Sequence, residues 1–150
     1  MEHVGNSFNL RKISLIATIH CLIGCSIGEV LGMFLGTYFG LSNLLTIGLA
    51  VLLAFIFGYS LTLVPLLKHL SFKKALSAAF ISDTASITVM EIVDNGIIIL
   101  IPGALHAHID QPLFWGSLIL ALFVAFLFAY PVNYFLIKKG KGHAVVHSHH

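Results

Sequence analysis

Cysteine, glutamate and methionine side chains lie together in one apolar run near the N-terminus. Cys21, Cys25, Glu29 and Met33 are each four residues apart, so on an α-helix they form one row. Sulfur ligands suit Cu(I) or Zn, whereas carboxylates suit Zn, Fe(II) or Mn. His20 lies about 100° further round the helix and would join them only if the helix rotated. The row predicts a transition-metal site, although buried cysteines also pack as small apolar side chains.

Polar side chains line one face of a later apolar run, at about residues 74–101. On a helix they fall within one arc of about 140°. They are Asp83, Thr84, Thr88, Glu91, Asp94 and Asn95. An ionised group in mid-membrane costs roughly 2.5–3.5 kcal/mol on insertion scales, so this arc is expected to face protein, water or an ion.

The acids of these two runs are predicted to lie at the same depth in the membrane. If the runs enter the membrane at Ile13 and Ala75, Glu29 lies level with Glu91 and Cys21 lies level with Asp83. Two carboxylates at one depth repel each other, so one would hold a proton or both would share a cation. The alternative is that the acids only hydrogen-bond to neighbouring Thr and Asn side chains and lock the helices together.

These patterns give one predicted set of metal-binding residues along the first and third runs. Glu29 and Glu91 form the predicted central site, and Met33 is available to a soft ion. An inner relay is predicted from His20, Cys21, Cys25 and Asp83. The full set is His20, Cys21, Cys25, Glu29, Met33, Asp83, Glu91 and Asp94. The ion is expected to be copper, zinc or iron.

Composition excludes a soluble globular domain. Of 150 residues, 58% are hydrophobic and 9% are charged, and the mean hydropathy is +0.99. Four apolar runs, at about 12–40, 44–67, 74–101 and 112–138, are each long enough to cross a hydrocarbon core of ~30 Å. They lack the alternation of barrel strands. The sequence therefore predicts a single domain over 1–150, an all-α membrane protein with a bundle of four transmembrane helices.

The basic residues predict the orientation of this bundle. They lie before the first run, between the second and third, and after the fourth, whereas the segments 41–43 and 103–111 contain no Lys or Arg. By the positive-inside rule both termini are cytoplasmic and the two short loops lie outside. We expect a multi-pass membrane protein without a cleaved signal peptide.

Small residues also recur along the first run. Gly24, Gly28, Gly32 and Gly36 are spaced by four, which lets another helix approach closely in lipid. They are the predicted helix-packing residues. The partner helix belongs either to the same chain or to another copy, and the small size of the bundle favours a homo-oligomer.

Histidines outside the spans offer weaker candidates. His106 and His108 lie in the second outer loop, and four histidines lie in the cytoplasmic tail at about 140–150. Short His-rich tracts bind metals, but loosely when no cage is preformed. A solvated tail and ordinary loop histidines are the alternatives.

Several motifs resemble a known family. They are His20-Cys21, Gly24-Cys25, Gly28-Glu29, Gly32-Met33, Val89-Met90-Glu91, Ile101-Pro102-Gly103-Ala104, PLFWGS at 112–117 and GKGHAVVH at 140–147. Nearly the whole chain resembles small bacterial four-helix membrane proteins catalogued as a domain of unknown function. The resemblance implies a plasma-membrane protein with a native tail, and it brings no activity or site residues.

The predicted function is binding and transport of a transition-metal cation, with the first and third helices lining its path. The expected partners are the lipid bilayer, the metal cation and further copies of the chain; nucleic acid is not expected. Three alternatives stay open: a membrane redox enzyme module that uses a metal or quinone, a proton or cation channel, and a packing subunit of a membrane complex. An enzyme is the less favoured class.

Overall fold

The computed structural model describes residues 2–138, with side chains described for 9–81 and 83–138. Four α-helices and one short 3-10 helix make up the described chain, which contains no strand. In order they are α1 (Glu2–Tyr38), α2 (Asn43–Leu66), α3 (Phe72–Leu100), the 3-10 helix (Ala104–His106) and α4 (Pro112–Lys138). The prediction of an all-helical fold is confirmed for this part of the chain.

The helix bounds agree with the apolar runs except at the first helix. α1 begins at Glu2, about ten residues before the apolar run that starts near residue 12. No proline interrupts these residues, and extending an existing helix is easier than starting one. α1 ends at Tyr38 because Gly40 takes a left-handed backbone, with φ of 65°, that reverses the chain.

Three helical segments are long and apolar enough to cross a membrane by themselves: Asn9–Tyr38, Asn43–Leu66 and Pro112–Lys138. The third helix bends by 45° between Phe72–Ile81 and Asp83–Leu100, and the two parts together pass as a fourth span. Large apolar side chains such as Leu44, Ile92 and Leu100 are mostly exposed on the outside. Such a surface suits a lipid environment.

The helices pack as a ring of four neighbours. α1 lies along α2, α2 along α3, α3 along α4 and α4 along α1, while α1 and α3 face each other across the diagonal. Residues on α1 and α3 therefore meet in the centre of the bundle. This diagonal places the two acidic runs in contact.

Stripes of small buried residues let the helices approach closely. On α2 the stripe is Ala50, Ala54, Gly58, Thr62 and Leu66. The glycine ladder of α1 packs against this stripe: a side chain on Gly24 would lie 2.8 Å from the Gly58 Cα, and one on Gly28 would overlap the Ala54 backbone. The ladder therefore faces a helix of the same chain.

Candidate functional site

Three carboxyl groups form a cluster in the bundle interior, which we call the acid cluster: Glu29 from α1 with Glu91 and Asp94 from α3. The side chains are 4%, 4% and 2% exposed. Glu29 lies close to both Glu91 and Asp94. Four of the six acids of the chain lie within apolar runs, and three of them meet here.

The acid cluster has little support from other polar groups. Asn95 donates to Glu91 Oε2 at 3.3 Å. Within the described part of the chain, no donor reaches either Glu29 oxygen, Glu91 Oε1 or Asp94 Oδ1. Carboxyl groups this close in a buried interior cannot all be ionised, because their charges repel one another and burial disfavours each charge. The cluster therefore holds protons, or it awaits a cation that replaces them.

The two cysteines lie beside the acid cluster, toward the N-terminal end of α1. Both are buried free thiols that lie one helical turn apart in the same buried cluster. Cys25 also lies close to Glu91. The Ser86 hydroxyl donates to the Cys21 sulfur at 3.5 Å. The thiols and carboxyl groups thus form one continuous polar core between α1 and α3.

Asn133 of α4 lies at the end of this polar core that is nearer the N-terminus of α1. Its amide donates to Thr18 Oγ1 at 3.0 Å and to Ser86 Oγ at 2.9 Å. The Thr18 hydroxyl in turn donates to the Ser14 carbonyl at 2.7 Å. Neither Ser86 nor Asn133 belongs to the predicted set. Asn133 is identified as inward-facing by its place in a stripe of residues spaced four apart: Ser117, Ala121, Ala125, Ala129 and Asn133.

A cavity of about 380 Å³ lies at the opposite end of the polar core. Its lining includes Met33, Thr37, Asn43, Thr46, His106 and His108. Met33 is one helical turn beyond Glu29, so the cavity ends about one turn from the acid cluster. Asn43 Nδ2 lies 3.0 Å from His106 Nδ1 and ties the start of α2 to the loop above the cavity.

The remaining predicted residues are dispersed. His20 is half-buried beside Cys21, and Asp83 is buried one turn before Ser86. The residues of the polar arc on α3 do not all face the bundle centre. The Thr84 hydroxyl lies 2.6 Å from the Tyr59 hydroxyl of α2. Thr88 is exposed, and its hydroxyl donates to the Thr84 carbonyl. The histidine tail at 140–150 lies outside the described residues.

Five of the eight predicted residues are thus brought together in two neighbouring groups, the acid cluster and the thiol pair of Cys21 and Cys25. Between residues 2 and 138, as far as side chains are described, no three or more His, Cys, Asp and Glu side chains are arranged to hold a metal ion. The three carboxyl groups lie beside one another in the interior. Such a group retains protons unless a cation takes their place.

Comparison with known proteins gives a family and no activity. A family model, that of the domain of unknown function DUF4396, matches residues 12–142. No curated protein and no solved structure matches the chain.

Proposed function

For this chain, which belongs to the DUF4396 family of domains of unknown function, we propose transport of a transition-metal cation across the membrane in exchange for protons. The observation that carries the proposal is the acid cluster. Three buried carboxyl groups from two diagonal helices have free oxygens and no basic partner among their charged neighbours in the described chain. Such a group attracts a cation strongly once it loses protons.

Exchange follows from the charge of the acid cluster. Three carboxyl groups this close in the bundle interior cannot all be ionised while no cation is bound, so the acid cluster holds protons in that state. A divalent cation that enters replaces these protons and accepts the freed oxygens as ligands, after the three side chains turn toward it. Oxygen ligands favour zinc, iron(II) or manganese at this position.

The proposed path enters through the cavity at Met33 and His106 and passes the acid cluster. We propose that all four helices span the bilayer, with this cavity outside and both termini in the cytoplasm. Arg11, Lys68, Lys73 and Lys138 are exposed and flank the same end of the bundle, opposite the cavity. This distribution supports the orientation under the positive-inside rule, in a bacterial plasma membrane.

The test is uptake of zinc, iron(II) or manganese into proteoliposomes that contain a pH-sensitive dye. Wild-type protein is expected to take up one of these ions and to release protons. Glu29→Gln keeps the shape of the side chain but removes its charge, so uptake is expected to fall at least about tenfold, equivalent to 1.4 kcal/mol.

Asp110→Asn is the matched control, because Asp110 is an exposed acid of the outer loop. Its uptake is expected to equal that of wild type. The proposed role of the acid cluster would be disproved if the Glu29→Gln variant were folded, as judged by its elution, and still transported at the wild-type rate. Proton movement without any metal uptake would assign the cluster to proton transport alone.

A further inference from the structure

The thiol pair of Cys21 and Cys25 differs chemically from the acid cluster beside it. Their exposed fractions are 7% and 0%, so both sulfurs lie in the dry core of the bundle. They lie one turn apart on α1 within the same cluster of buried residues. Carboxylate oxygens prefer hard or borderline ions, whereas a pair of sulfurs prefers soft ones.

Two polar neighbours face the thiol pair from α3. The Ser86 hydroxyl contacts the Cys21 sulfur at 3.5 Å, and the Glu91 carboxyl lies close to Cys25. One oxygen of that carboxyl, Oε1, is buried and receives no hydrogen bond from the described part of the chain. A buried thiol keeps its proton until a cation binds its sulfur, and the free oxygen of Glu91 can then accept the released proton.

From this arrangement we propose that Cys21 and Cys25 form a two-coordinate site for a soft monovalent cation of the Cu(I) or Ag(I) class. Such ions accept two sulfur ligands, so the site needs no third side chain. The proposal deepens the proposed function and rests on it for its part in transport. It adds a second substrate class, soft monovalent cations, which bind next to the acid cluster on the side nearer the N-terminus of α1.

Binding is balanced by one proton transfer. The Cys25 S–H bond breaks, its proton passes to the Glu91 carboxylate, and the thiolate forms a bond to the cation. The Cys21 thiol supplies the second sulfur through a lone pair and keeps its proton. The cation and the carboxylate both lose their charge in this step, so no net charge stays in the dry core.

The first test is a competition titration with Cu(I) and a chromogenic Cu(I) chelator, on detergent-solubilised protein under reducing, oxygen-free conditions. Wild type is expected to withdraw one equivalent of Cu(I) from the chelator. Cys21→Ser and Cys25→Ser are each expected to weaken binding by at least about 100-fold, beyond the 10–100-fold cost of losing an outer-shell partner.

Two controls separate the thiol pair from other ligands. Met33→Leu removes the other sulfur of the α1 row and is expected to bind Cu(I) as wild type does. Glu29→Gln is also expected to retain Cu(I), even though it should lose divalent-ion uptake. Cu(I) binding that survives while transport of every ion fails would therefore disprove the proposed function and leave the site standing.

X-ray absorption at the copper edge tests the site without any variant. Wild-type protein loaded with one equivalent of Cu(I) is expected to show two sulfur neighbours and no nitrogen or oxygen neighbour. Nitrogen or oxygen ligation, wild-type affinity in either serine variant, or failure of the wild-type protein to compete with the chelator would overturn the inference.

Discussion

Asn133 on α4 donates a hydrogen bond of 2.9 Å to the Ser86 hydroxyl on α3. The same amide donates to Thr18 on α1 at 3.0 Å, so one side chain joins three helices. Asn133 is only 3% exposed. It lies at the end of the polar core opposite the cavity, so it fixes the helices at the side where a transported ion would have to leave.

Replacing Asn133 by alanine is expected to destabilise the bundle. Hydrogen bonds between helices in membranes contribute about 0.6 kcal/mol each on average, so the loss of two bonds should cost roughly 1 kcal/mol. The measurement is the midpoint of unfolding in mixed detergent. Ser60→Ala is the control, because Ser60 is half-exposed and its hydroxyl bonds only to the Ile56 carbonyl of its own helix. An equal shift in both variants would contradict the role of Asn133.

The proposed exchange makes cation binding depend on pH in a defined direction. Protons and the cation compete for Glu29, Glu91 and Asp94, so the apparent affinity for a divalent cation is expected to rise as pH rises. The increase is about tenfold per pH unit for each proton displaced.

Isothermal titration with zinc at several pH values measures this dependence. In Glu29→Gln one exchangeable proton is missing, so the slope of log affinity against pH is expected to fall by about one for that proton. A slope that is the same in wild type and variant would show that Glu29 takes no part in the exchange. Asp110→Asn is again the control, with the wild-type slope.

The acid cluster could be predicted from the sequence because two simple periodicities apply to its residues. The row on α1 and the polar arc on α3 place Glu29 and Glu91 inward, and the depth comparison predicts them side by side, which is where the structure has them. Charged groups are costly in a membrane, so few other arrangements of these acids are possible. The same reasoning identified the ends of α2, α3 and α4 to within two residues.

Ser86 was not predicted, because it lies outside the polar arc of α3. It lies about 60° outside the arc, beyond Asp83, yet it is 1% exposed and contacts Cys21. At the other edge of the arc, Thr88 is exposed. The buried direction of α3 is therefore set by packing against α1 and α4, which the polar residues of one helix do not determine.

Tyr59 and Thr84 are predicted to couple α2 to α3. Their hydroxyl oxygens are 2.6 Å apart, and Thr84 also donates to the Phe80 carbonyl of its own helix. The Tyr59 hydroxyl is therefore the donor between them. A double-mutant cycle with Tyr59→Phe and Thr84→Val is expected to give a coupling free energy of about 0.6 kcal/mol, and at most ~1.7 kcal/mol. Strictly additive effects on the unfolding midpoint would rule out the bond.

Gly28 is predicted to be the least replaceable residue of the ladder. A Cβ there would overlap the Ala54 backbone, and backbone moves less readily than a flexible side chain. Overpacking typically costs about 1–3 kcal/mol, so Gly28→Ala is expected to separate α1 from α2 and lower the unfolding midpoint. Because α2 belongs to the same chain, the loss should appear equally at high and low protein concentration.

Gly48→Ala is the matched control on α2. No atom of the described residues lies within 4 Å of the Cβ it would gain, and alanine in a helix interior is roughly 0.5–1 kcal/mol more favourable than glycine. The two substitutions are therefore expected to shift the unfolding midpoint in opposite directions. If Gly28→Ala left the midpoint unchanged and instead altered only the oligomeric mass in mild detergent, the ladder would face another copy of the chain and not α2.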